Sequence, residues 1–66
     1  MDNQTKLVVK PLIELAGSAL SDLSALYTLV ADHLPNLSHE QRKQLHAESA
    51  QRLALSQKMK QNAQDL

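Results

Sequence analysis

Three histidines, His33, His39 and His46, are the side chains in this 66-residue chain best suited to chemistry, because imidazole ligates metals and moves protons near neutral pH. His39 and His46 stand seven residues apart, two turns on a helix, whereas helical metal pairs sit three or four apart. The run HEQRKQLH also lacks the second histidine four residues on that a zinc-protease helix requires. The three therefore read as surface histidines near helix ends. No cysteine is present, and no serine stands with a histidine and an acid in a recognised nucleophilic arrangement. Gly17 is the sole glycine, which leaves no phosphate-cradling loop. The expectation is a protein that is not an enzyme, with no catalytic residue, no metal and no cofactor.

A second group that could do chemistry is basic. Arg42, Lys43, Arg52, Lys58 and Lys60 fall within one 19-residue stretch and could contact phosphates, doubled in number if the chain dimerises. Glu40 and Glu48 interrupt them, they do not share one side of a helix, and no aromatic is available for stacking on bases. Whole-molecule attraction to nucleic acid or an anionic membrane is not expected either, since seven Lys and Arg balance seven Asp and Glu. RNA or DNA binding through these five is the alternative reading; small RNA-binding helical-hairpin dimers offer an analogy of fold alone.

The elements that would position these groups are helical. Pro11–Leu34 carries apolar residues at helical spacing over an unusually wide arc: Val9, Ala16, Leu23 and Val30 in one heptad row, Leu12, Ala19 and Leu26 in the next, and Ile13, Leu20, Tyr27 and Leu34 in a third. Proline favours the first turn of a helix and disfavours helical geometry before it, so helix 1 is expected over about 11–34, with 1–10 a flexible arm whose Leu7–Val9 fold against the bundle. The small residues Gly17, Ser21, Ser24 and Thr28 form a strip that either faces water or receives a target's helix. Glu14 and Asp22 would each cost about 2.5–3.5 kcal/mol at a bilayer centre, so no membrane span is expected.

Pro35 stops that helix, and Ser38-His39-Glu40-Gln41 fits a capping box, giving a turn at 35–38 and a second helix over about 39–63 with a frayed tail at 64–66. Helix 2 is more polar, with Leu45, Ser49, Arg52, Ser56, Met59 and Ala63 along one line. Helices of about 25 residues each span roughly 36 Å, so they match as an antiparallel hairpin. Residues 1–38 carry Lys6 and Lys10 against Asp2, Glu14, Asp22 and Asp32, and 39–66 carry the reverse excess, a net −2 facing a net +2 that suits antiparallel pairing.

Two helices cannot cover every apolar row of helix 1, and a chain this short is marginal alone. The expected architecture is all-α, a two-helix hairpin that dimerises into a four-helix bundle, with Leu12, Ala16, Ala19, Leu23, Leu26 and Val30 in the dimer seam. Tyr27, His33, Leu37, Leu7, Val8 and Val9 would remain for an unidentified protein target. The layout of Pro11–Leu34, a short turn, and Ser38–Ala63 resembles the small two-helix proteins that phages make to disable host regulators, the anti-quorum-sensing anti-activators among them. That resemblance implies a cytoplasmic viral inhibitor whose target is a transcription factor or motor ATPase; a phage assembly chaperone is a further alternative.

Overall fold

A computed structural model describes residues 2–66, so residue 1 of the expected arm lies outside the described residues. The chain folds as two helices, α1 (Asn3–His33) and α2 (His39–Gln64), packed along their length into a hairpin of 51 × 13 × 11 Å. Its radius of gyration is 15.4 Å, against about 11 Å for a compact domain of this length. The molecule is a rod with no interior thick enough for a large side chain.

α1 starts two turns earlier than Pro11 suggests. Asp2 is its N-cap, and the Asp2 carboxylate accepts from the Thr5 amide at 2.7 Å. That bond also holds the Asp2 carboxyl below the usual carboxylate value. Residues Asn3–Lys10, expected as an arm, are therefore the opening turns of the helix, and Pro11 lies in its third turn. A proline there removes the N–H that would reach the Leu7 carbonyl. Leu7 and Pro11 both lie on the exposed side, where solvent can satisfy that carbonyl.

The other end follows the sequence closely. α1 closes at His33, with the Leu34 amide bonding back to the Val30 carbonyl at 3.1 Å, and Pro35 prevents a further turn. The capping box forms in full: Ser38 Oγ accepts from the Gln41 amide at 3.1 Å, while the Ser38 amide donates to Gln41 Oε1 at 2.9 Å. Arg42, one residue on, donates through Nη1 to the Ala31 carbonyl and through Nη2 to the Leu34 carbonyl at 3.5 Å. Those carbonyls belong to the last turn of α1 and to its C-cap, which lack intrahelical partners, so one guanidinium fastens the start of α2 to the end of α1. α2 runs one residue beyond 63, and Asp65 caps it by bonding back to Gln61 and Ala63.

What holds the helices together is a repeat of small residues. Gly17, Ser24 and Ala31 are the buried residues of α1, and Ser49, Ser56 and Ala63 those of α2, each set spaced by seven. Seven residues are two turns, so each set forms one line, and with no bulk on either line the two backbones come close. Ser24 Oγ donates to the Ser49 carbonyl at 2.8 Å and Ser49 Oγ donates to the Ser24 carbonyl at 2.8 Å, a reciprocal exchange. With the Ser49 proton so committed, Thr28 Oγ1 donates to Ser49 Oγ across 2.7 Å. Ser56 Oγ donates to the Gly17 carbonyl at 2.6 Å. A Cβ on Gly17 would stand 3.3 Å from the Ser56 carbonyl oxygen and from Lys60 Cγ, so glycine there permits the approach. These contacts fix the register: Gly17 faces Ser56, Ser24 faces Ser49 and Ala31 faces Arg42.

Of the small strip of α1, Ser21 is half-buried on the flank, and the other three residues are neither left to water nor kept for a target's helix. Gly17, Ser24 and Thr28 are committed to α2 of the same chain.

A candidate protein-binding face

With the small residues turned inward, the large ones fall to the sides. Three positions after Gly17, Ser24, Ser49 and Ser56 come Leu20 and Tyr27 on α1, and Arg52 and Met59 on α2; all four are half-buried. In an antiparallel pair these rows share one flank, and the Arg52 guanidinium lies over the Tyr27 ring at 4.6 Å to the centroid. Ile13, Leu45 and Leu66 extend the flank and are half-buried as well. The opposite flank is mostly polar: Ser21, Thr28 and Asp32 from α1 meet His46 and Lys60 from α2, with Asp32 Oδ1 3.2 Å from His46 Nε2.

The apolar flank is open. Near the turn a shallow groove of about 440 Å³ is lined by Tyr27, Val30, Leu37 and Leu45, with Gln41, Gln44 and Glu48 at its edge. A neighbouring depression of about 260 Å³ adds Leu23 and Leu26. Residues expected in two separate roles, the seam residues Leu23, Leu26 and Val30 and the target contacts Tyr27 and Leu37, therefore line one continuous surface. Leu45 belongs to it too, and its place on the α2 line with Ser49 and Ser56 was the available signal.

The rest of the expected seam lies along α1: Leu12 is 59% exposed, Ala19 is exposed and Ala16 half-buried. Leu15 and Leu29, 66% and 54% exposed, form a further apolar edge on the side of α1 away from α2. Leu7 and Val8 are exposed and Val9 half-buried near the open end of the hairpin. His33 is exposed, and its Nδ1 lies 3.0 Å from the Leu29 carbonyl.

One ion pair interrupts the apolar flank. Arg52 Nη1 bonds the Glu48 carboxylate one turn back and the Glu48 carbonyl at 3.2 Å, and both side chains are half-buried. Of the five cations considered for nucleic acid, Arg42 and Arg52 are thus spent on contacts within the chain, while Lys43, Lys58 and Lys60 are exposed. Among the described residues no three His, Cys, Asp or Glu side chains come together as a metal-holding group, and no helix is long and apolar enough to cross a membrane. No buried side-chain nitrogen or oxygen among them lacks a hydrogen-bond partner, so the polar seam between the helices has nothing left to offer a ligand.

Comparison with known proteins finds no matching family model, no matching curated protein and no matching solved structure.

Proposed function

We propose that this chain is a small non-enzymatic binding protein, a regulator or inhibitor of another protein, that works as a homodimer of helical hairpins forming a four-helix bundle. The observation that supports this reading is the imbalance of the hairpin. Its internal seam is built from Gly, Ser and Ala, while among the described residues eleven large apolar side chains are exposed, eight of them on α1. Large exposed apolar patches on soluble proteins mark surfaces that a partner covers. The layout also resembles phage inhibitors of host regulators, which makes a transcription factor or a motor ATPase the class of target.

A dimer formed across the flank of Tyr27, Leu23 and Val30 leaves Leu15 and Leu29 along the outer edge, and Leu37 and His33 at the turn, for that target. The test is capture from a cell lysate with the wild-type chain and with the double variant Leu15→Glu, Leu29→Glu, whose helicity and mass are checked first. A partner held by the wild type and lost by the variant supports the reading. Capture that is identical for both, or absent for both, counts against it.

A further inference from the structure

We infer that the open flank is covered by a second copy of this chain laid antiparallel, α1 upon α1, about a twofold axis perpendicular to the helices near Ala19–Leu23. This rests on the homodimer reading above and specifies its geometry. The area is of the right size. The chain exposes 4976 Å², about 800 Å² more than a compact 7.3 kDa monomer, which is what one partner contributes to a standard interface.

The orientation follows from the rows that face outward from the flank. On α1 this row is Val9, Ala16, Leu23 and Val30; on α2 it is Gln41, Glu48, Leu55 and Asn62. A twofold axis parallel to the rods would stack α1 on α2 of the other copy and lay the apolar row against a mostly polar one. A perpendicular axis stacks α1 on α1 and α2 on α2, like upon like.

Side-chain size fixes the offset. Along α1 two alanines, Ala16 and Ala19, are followed by two leucines, Leu23 and Leu26. Reversing one copy seats each leucine pair over the alanine pair of the other, with Leu12 beside Val30 of the second copy, so large side chains fill the space that small ones leave. In the same offset the turn-end groove receives Val9 and Leu12 of the second copy. Because Gly17 faces Ser56 and Ser24 faces Ser49, Arg52 lies level with Leu20 and Ser21, at the axis. Arg52 and Glu48 from both copies then meet there as two charges of each sign. A central polar layer of this kind penalises any slipped register.

The absence of cysteine makes the test direct. Leu12→Cys and Val30→Cys are prepared singly, one carrying a mass tag, then co-refolded and mildly oxidised. The mixed 12–30 disulfide should exceed either self-linked species by about tenfold, since a disulfide needs Cα atoms within roughly 7 Å. Ala19→Cys, a nearly volume-neutral change, should self-link through a short thiol cross-linker, and Ala25→Cys on the far side should not. Self-linking of Leu12→Cys and of Val30→Cys would overturn the antiparallel geometry. A dimer by light scattering with none of these links would overturn this face while leaving the binding reading intact, and a folded monomer would overturn both.

Discussion

The pairing of Ser24 with Ser49 allows the seam's hydroxyls to be separated from its small size. Both side chains are buried, and alanine preserves the close approach while deleting the oxygen. Ser49→Ala removes the donation to the Ser24 carbonyl at 2.8 Å and the acceptor of Thr28 at 2.7 Å. Neither loss strands a group: the Ser24 carbonyl already accepts within its helix, and Thr28 can turn back to a carbonyl one turn earlier. Two net hydrogen bonds of about 1 kcal/mol each, less about 0.5 kcal/mol regained in helix propensity, give a destabilisation of about 1.5 kcal/mol. Ser24→Ala loses one donation and should cost about 0.5 kcal/mol by the same reckoning. Because the two hydroxyls are 2.9 Å apart and share the network, the double variant should fall short of the sum by about 0.5 kcal/mol or more. Urea unfolding followed by helical circular dichroism at one fixed concentration measures all four corners of the cycle. If both single variants are as stable as the wild type or more so, the hydroxyl network contributes nothing and the seam needs only small volume.

Three further perturbations probe other parts of the fold. Gly17→Leu should lose more than about 2 kcal/mol by forcing α2 away from a site where even a Cβ meets the Ser56 carbonyl at 3.3 Å; in Gly17→Ala the gain in helix propensity, about 1 kcal/mol, is largely offset by that contact. Pro11→Ala restores an interior hydrogen bond and should stabilise the chain by up to about 3 kcal/mol, less about 0.4–1 kcal/mol for the freer unfolded chain, and so raise the thermal midpoint; a lowered midpoint would contradict a helix that runs through Pro11. Asp2 has a lowered pKa in the folded chain because it accepts from Thr5, so its cap is fully present above the ordinary carboxylate value near 3.8 and is lost as pH falls through the lower folded value. The Thr5 amide resonance should report that loss in an acid titration, and should not respond in Asp2→Asn.

Much of this was legible in the sequence because local rules govern it. Pro35 and the Ser38–Gln41 box determine where one helix ends and the next begins, and both features act within a few residues. Two features depart from their local reading for opposite reasons. Pro11 reads as a helix start because its local preference is strong, yet Asp2 offers a cap to the Thr5 amide and the exposed side of α1 tolerates the missing bond. The strip of Gly17, Ser24 and Thr28 reads as spare surface because cores are expected to be apolar. Here the core is the small repeat itself, and the matching spacing of Ser49, Ser56 and Ala63 is the signal that pairs the two lines. The apolar arc of α1 was legible as an excess. Which rows of it share a flank with Leu45 and Arg52 depends on the register of the hairpin, and no periodicity on one helix contains that information.

The apolar flank of α1 is either covered by a second copy or left to water. Multi-angle light scattering on the purified chain at tens of micromolar measures this most directly. Twice the 7.3 kDa chain mass, falling to the single-chain mass in Leu23→Asp, is the predicted result. A wild-type chain that is fully helical and elutes with the mass of one copy would contradict it.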